Sequence, residues 1–187
     1  MRKSSKSSKD KVLYTIGHST KTLDELVKIL QAHRVKVLAD VRSIPRSRHV
    51  PQFNHEILEQ ALPAKGIRYE PMPELGGRRH TRKDSPNGAW RNASFRGYAD
   101  YMQTPEFESG IEHLIKIASK SPTAIMCAEA VPWRCHRSLI GDAMLVRGWT
   151  VLDLMGVDKQ SPHKLTPFAK VDGLEITYPP EDPELFS

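Results

Sequence analysis

Short apolar runs alternate along this chain with stretches whose apolar positions recur at helical spacing, and this alternation constrains the fold more than any other feature. Val12–Ile16, Val35–Val41, Ile67–Met72, Thr123–Cys127 and Thr150–Leu154 read as strands. The run VKVLADV is apolar almost throughout, as a strand covered on both faces must be. Thr22 and Glu25 have capping-box spacing, and the helix they open should end near His33. Asn54 can cap a second helix through about Lys65, stopped by Gly66. Tyr98, Tyr101 and Met102 suggest a short helix, and Thr104-Pro105 has the form of a helix start, with Phe107, Ile111 and Leu114 on the buried face. A last helix runs from Ser138, with Gly148 placed to end it. Strand–helix alternation predicts right-handed βαβ units. The expected fold is therefore α/β: a mainly parallel sheet of about five strands with helices on both faces, a Rossmann-like three-layer sandwich. Leu174–Tyr178 reads as an added edge strand.

One domain over residues 12–180 is expected, preceded by a disordered basic tail over 1–11 and followed by a flexible end over 181–187. The basic N-terminus has no apolar segment behind it, so it does not read as a secretory signal. No apolar run approaches the ~20 residues a bilayer span needs. Two cysteines do not make a disulfide framework, which makes a reducing cytoplasm the default location. The net charge of +6 owes much to the tail, so charge alone does not assign a nucleic-acid partner.

In open parallel sheets ligands bind beyond the carboxyl ends of the strands. Three loops there are polar. The first holds Gly17, His18 and Ser19; the second holds Asp40, Arg42, Arg46 and Arg48. The third, between Thr123–Cys127 and the last helix, gathers both cysteines of the chain: Cys127, Glu129, Arg134, Cys135, His136 and Arg137. If these loops converge, the long segment Pro73–Phe95 can cover the cleft they make, because it is rich in Gly and Arg and has no hydrophobic period.

Each of these residues has two readings. Cys127 is either a small core hydrophobe or a thiolate favoured by nearby arginines and a helix N-terminus. Cys135 either packs at the helix start or serves as nucleophile, metal ligand or resolving partner to Cys127. His136 is either a capping or core histidine or a general acid–base. Arg134 and Arg137 either form internal salt bridges to Glu129 or Asp40 or present forked donors suited to phosphate or carboxylate, and Arg42 and Arg46 would join them in clamping an anion. His18 and Ser19 make turn contacts or substrate contacts; Glu74 is a base or a capping acid. No C-x-x-C or His-x-x-x-His pair is present, so no metal site is assigned, and no cofactor is identified.

TIGHST at Thr15–Thr20, DVRSIPRSR at Asp40–Arg48, ELGG at Glu74–Gly77, MCAEAVPWRCHRSLI at Met126–Ile140 and HKLTPFAKVDGLEITYP at His163–Pro179 together resemble the family called domain of unknown function 488. The resemblance runs from about residue 13 to 180 and implies a soluble α/β protein, mostly bacterial or archaeal. It points to Gly17, His18, Ser19, Asp40, Arg42, Pro45, Arg46, Glu74, Cys127, Glu129, Cys135, His136 and Arg137 as family-defining positions. It supplies no substrate.

The leading expectation is an enzyme with a Cys/His/Arg site acting on a phosphorylated or other small anionic ligand, with Cys127 or Cys135 as nucleophile and His136 or His18 as acid–base partner. The alternatives are a nucleic-acid-binding protein, using the tail and the Arg78–Arg91 loop with Trp90, Trp133 or Phe95 stacking on bases, and a non-catalytic anion-sensing module. No membrane partner is expected, and the oligomeric state is not read.

Overall fold

Strands β1 (Val12–Gly17), β2 (Val37–Asp40), β3 (Arg68–Pro71), β4 (Thr123–Cys127), β5 (Thr150–Gly156) and β6 (Lys159–Pro162) form one sheet in the order β3-β2-β4-β1-β5-β6. This arrangement comes from a computed structural model, which describes residues 10–182. The first five strands are parallel, in agreement with the alternation of the sequence, and β6 folds back antiparallel on β5. Helices α1 (Leu23–Ala32), α2 (His55–Ala61), α3 (Ala93–Tyr101), α4 (Pro105–Ala118) and α5 (Arg137–Leu145) cover both faces.

The alternation of side chains across the pleat sorts the core in two. Leu38, Ala124, Met126 and Leu154 point to the α1 and α2 side, where they meet Leu26, Leu30 and Leu58. Leu13, Ala39, Ile125 and Val151 point the other way, toward Tyr98 of α3, Phe107, Ile111 and Leu114 of α4, and Leu139 and Met144 of α5. α1 starts with the capping box read from the sequence: Thr22 accepts from the Glu25 amide at 3.1 Å and Glu25 accepts from the Thr22 amide at 2.8 Å. Thr104 caps α4 as expected, with Pro105 at its first position.

Several expectations need correction. The helix expected from Asn54 to about Lys65 ends at Ala61, because Pro63 offers no amide to continue it and a tighter 3₁₀ turn follows over Pro63–Lys65. Gly66 does end that turn, at φ 75°. The Asn54 side chain accepts from the Ser47 amide at 2.7 Å instead of capping α2. β6 is an addition to the expected strands: its residues, KQSP, are all exposed and carry no apolar signal. The strand expected over Leu174–Tyr178 is β8 (Glu175–Thr177), and it pairs with β7 (Lys170–Asp172) in a separate hairpin rather than at the edge of the main sheet. The expected tail as far as Lys9 and the end beyond Asp182 lie outside the described residues.

Two buried carboxylates organise segments that lack hydrophobic periodicity. Asp100 on α3 accepts from the Arg82 amide (2.8 Å), Ser85 Oγ (2.5 Å) and Asn87 Nδ2 (2.7 Å), which folds the long basic loop back onto the body. Asp142 on α5 accepts from His163 Nε2 (2.8 Å), the Thr166 amide (3.1 Å) and Tyr178 Oη (2.8 Å), pinning the segment that follows β6. Burial alone would lower the His163 pKa, but hydrogen bonds to Asp142 and Asp153 and the charges of both carboxylates together push it up to about 9.

Because His163 titrates higher in the folded chain than in the unfolded one, its stabilisation is complete below the ordinary value of 6.5 and lost as pH rises through about 9. Urea midpoints should therefore fall between those pH values, by at most about 3 kcal/mol in stability. His163→Gln should be less stable at pH 6 and flatter across the window; parallel pH dependence of both proteins would refute this assignment.

Candidate functional site

β4 runs between β2 and β1, and the loop after it leads to α5 on one face of the sheet, whereas the loops after β1 and β2 lead to α1 and α2 on the other. Divergence of adjacent loops leaves a crevice at the carboxyl end of β4. A cavity of about 280 Å³ lies there. Arg42, Ser43 and Ile44 after β2, Gly77 and Arg78 of the long loop, Ser94 and Phe95 of α3, and Cys127, Ala128, Glu129, Arg134, Cys135 and His136 after β4 form its walls. The expected convergence of loops is therefore found for the second and third, with the long basic segment supplying one wall.

Cys127 ends a strand buried at every position, and Cys135 lies eight residues on, at the mouth of α5; their sulfur atoms are paired. The sequence allowed such a partnership but favoured separate reduced thiols. His136 Nε2 donates to the Val41 carbonyl oxygen at 2.8 Å. That bond places the proton on Nε2 and leaves Nδ1 as a lone pair, 3.5 Å from Cys135 Sγ. Burial, aided by the positive charges of Arg137 and Arg79, pushes the His136 pKa down to about 4 against the upward pull of the Val41 and Leu75 carbonyls. The imidazole is neutral at neutral pH, with Nδ1 placed to accept a hydrogen bond from a thiol on Cys135. The Arg137 amide also points at Cys135 Sγ, at 3.5 Å, in the first turn of α5. Gly77 lies flat against the imidazole: a Cβ there would stand 2.5 Å from Nδ1. The ELGG stretch carries a glycine for this close approach, a signal the sequence held but did not explain.

The guanidinium groups do not act as one clamp. Arg42 is turned inward onto Asp40, with Nε to Oδ1 at 2.8 Å and Nη2 to Oδ2 at 2.6 Å, and also donates to Phe53 O at 2.7 Å. Its charge is therefore already matched, although the residue borders the cavity. Arg46 is exposed and pairs with Glu56, away from the site. Arg137 is 1% exposed and donates from Nη2 to Ala130 O at 3.1 Å, bracing the loop from behind; burial lowers its pKa to about 10, partly offset by Asp153 and Glu129. Arg134 and Arg78 are the cavity's exposed cations, and Glu129 is the carboxylate on the same wall.

The first loop supports the site without lining it. His18 Nδ1 donates to Ser19 O at 2.9 Å, Nε2 accepts from Arg42 Nη1 at 3.3 Å, and the ring stacks on Phe53 at 4.4 Å. Burial lowers its pKa, the Ser19 carbonyl opposes that, and Arg42 lowers it further. Both ring nitrogens are thus engaged within the protein, and His18 braces the loops after β1 and β2 from outside the cavity. Gly17 admits the loop after β4, since a Cβ there would sit 1.7 Å from Glu129 O. The Ser19 amide donates to Ala128 O at 2.9 Å. Glu74 faces α4, where Oε1 accepts from His113 Nδ1 at 2.9 Å.

Among the described residues, no cluster of three or more His, Cys, Asp or Glu is arranged to hold a metal ion, and no helix is long and apolar enough to cross a membrane. A sequence family described as "Domain of unknown function DUF488" matches residues 22–144, a span that includes every residue lining the cavity. No curated protein and no solved structure matches the chain.

Asp40→Ala should cost roughly 3–5 kcal/mol, since it strands the buried Arg42 guanidinium, whereas Arg46→Ala should stay within about 0.5 kcal/mol. Urea unfolding of the two variants checks the contrast; equal effects would mean that Arg42 is not held by Asp40.

Proposed function

Because the chain belongs to the DUF488 family, whose description assigns no activity, we propose its function from the site: a thiol-dependent enzyme acting on a small anionic substrate, with Cys135 as nucleophile. The observation that carries this reading is the bond from His136 Nε2 to Val41 O, which presents the bare Nδ1 to Cys135 Sγ. A nucleophile beside a base that is itself oriented by a third group is the recurring form of covalent catalysis. In the reduced protein the Cys135 S–H donates to Nδ1, and the proton passes to the imidazole as sulfur attacks. The Arg137 amide and the N-terminal end of α5 favour the thiolate. Arg134 and Arg78 draw the anion into the cavity, and Glu129 is the group on hand to exchange a proton with what leaves.

The nucleic-acid reading draws less support. Arg79 is spent on the Gly76, Pro73 and Glu74 carbonyls and lies 3.6 Å over the Tyr101 ring, and Arg82 pairs with Asp84. Trp90 is stacked on Phe95 at 4.8 Å and packed against Phe168 and Tyr178, so it is not free to take a base.

In Cys127→Ser protein under reducing conditions, Cys135 should react with iodoacetamide with a half-maximal rate well below pH ~8.5, the value for a free thiol. His136→Ala should move that midpoint upward, and millimolar inorganic phosphate or sulfate should slow the reaction unless Arg134 is replaced by Ala. A midpoint at or above the free-thiol value, with no protection by either anion, would overturn the reading. Protection without an acidic thiol would identify an anion sensor instead.

A further inference from the structure

A thiol that only forms and hydrolyses a covalent adduct needs water as its second partner, not another sulfur. Yet Cys127 Sγ is paired with Cys135 Sγ inside the cavity wall, and these are the only cysteines in the chain. The Cys127 sulfur lies 3.8 Å from a carbonyl oxygen, Glu129 O, whereas the His136 imidazole lies against Cys135. The two sulfurs are thus unequal: one beside a base, the other placed to resolve what the first has made.

Resting on the thiol–anion reading above, we propose that the pair is a two-electron couple and that the substrate itself is the oxidant, a small anion bearing a sulfane sulfur. Thiosulfate is the simplest of this class. Two features select it together. The exposed guanidiniums of Arg78 and Arg134 favour an anion, and a neutral hydroperoxide would gain little from them. A dithiol that closes to a disulfide demands a substrate that accepts two electrons at an atom thiolates attack; phosphate and sulfate esters do not. A sulfonate end near the arginines would leave the soft sulfur facing Cys135, along a wall that includes Ile44, Phe95 and Ala128.

The steps balance. The Cys135 thiolate attacks the outer sulfur of thiosulfate, forming a new S–S bond while the old one breaks and sulfite leaves with its electron pair. Cys127, losing its proton, then attacks the inner sulfur of the Cys135 persulfide and hydrosulfide departs. The dithiol has been oxidised to a disulfide, and thiosulfate has been reduced to sulfite and hydrosulfide. An external dithiol restores the pair.

The test mixes pre-reduced full-length protein with thiosulfate and follows sulfite, hydrosulfide and protein mass. Wild type should release about one of each product per chain and lose the mass of two hydrogens, as expected for thiol–disulfide exchange. Cys127→Ser should release sulfite but gain one sulfur atom on Cys135, with no hydrosulfide; Cys135→Ser should release neither. Arg134→Ala should slow sulfite release at low thiosulfate by roughly tenfold, the loss of one charge-assisted contact. If Cys135 keeps its acidic titration and anion protection but releases no sulfite, the sulfane-sulfur proposal fails while the thiol–anion reading survives. Sulfite release by wild type without a disulfide would remove the resolving role of Cys127. Oxidation by hydrogen peroxide that is as fast as by thiosulfate and indifferent to Arg134 would overturn the choice of an anion.

Discussion

Three consecutive residues at the end of β2 set the geometry of the whole site, and the buried carboxylate of Asp40 is the first of them. Asp40 holds the Arg42 guanidinium by two bonds and also accepts from Tyr69 Oη at 2.6 Å. Arg42, so held, reaches Phe53 O and His18 Nε2, joining the ends of β1 and β2 to the turn before α2. Between them Val41 gives its carbonyl to His136 and its amide to Met126 O at 3.1 Å. The same short stretch thus neutralises a buried cation, extends the ladder beside β4 and decides which nitrogen of His136 carries a proton. A buried charge left without its partner is costly, so this floor is cooperative: its groups are satisfied together or not at all.

The sequence disclosed the frame because frame signals are local. Alternating runs, the Thr22–Glu25 capping box and the Thr104-Pro105 start depend on residues a few positions apart, and all appear in the structure. Strand order was not legible, since nothing in β4 records that it will slip between β2 and β1. β6 carried no apolar pattern at all. The cysteine loop was recognisable from residue types that rarely gather without cause, and its cavity is where the strand ends predicted. The arginines were harder. Arg42, Arg134 and Arg137 are alike in composition and neighbourhood, yet one faces a carboxylate two residues back, one faces the cavity and one is sealed beneath the loop. Which way a guanidinium turns depends on whether a partner exists across the fold, and a linear reading does not contain that.

The segments without hydrophobic period obey a different rule. The long basic loop and the stretch after β6 bury few large apolar residues of their own, and each is drawn in by one carboxylate accepting three hydrogen bonds. The two systems meet: Asn87, which donates to Asp100, accepts the Tyr178 amide at 2.9 Å, while the Tyr178 hydroxyl reaches Asp142. Such segments look unstructured on paper because their order rests on satisfied buried polar groups rather than on a repeating face.

Both margins of the main sheet share a trait. β3 begins with Arg68 and ends with Pro71; β6 begins with Lys159 and ends with Pro162. Charge and a missing amide at each rim deny a foreign strand a clean row of donors and acceptors. Molecules of this protein crowded side by side therefore meet no clean template at either margin of the main sheet, and the six-stranded sheet can stay open-ended without becoming sticky.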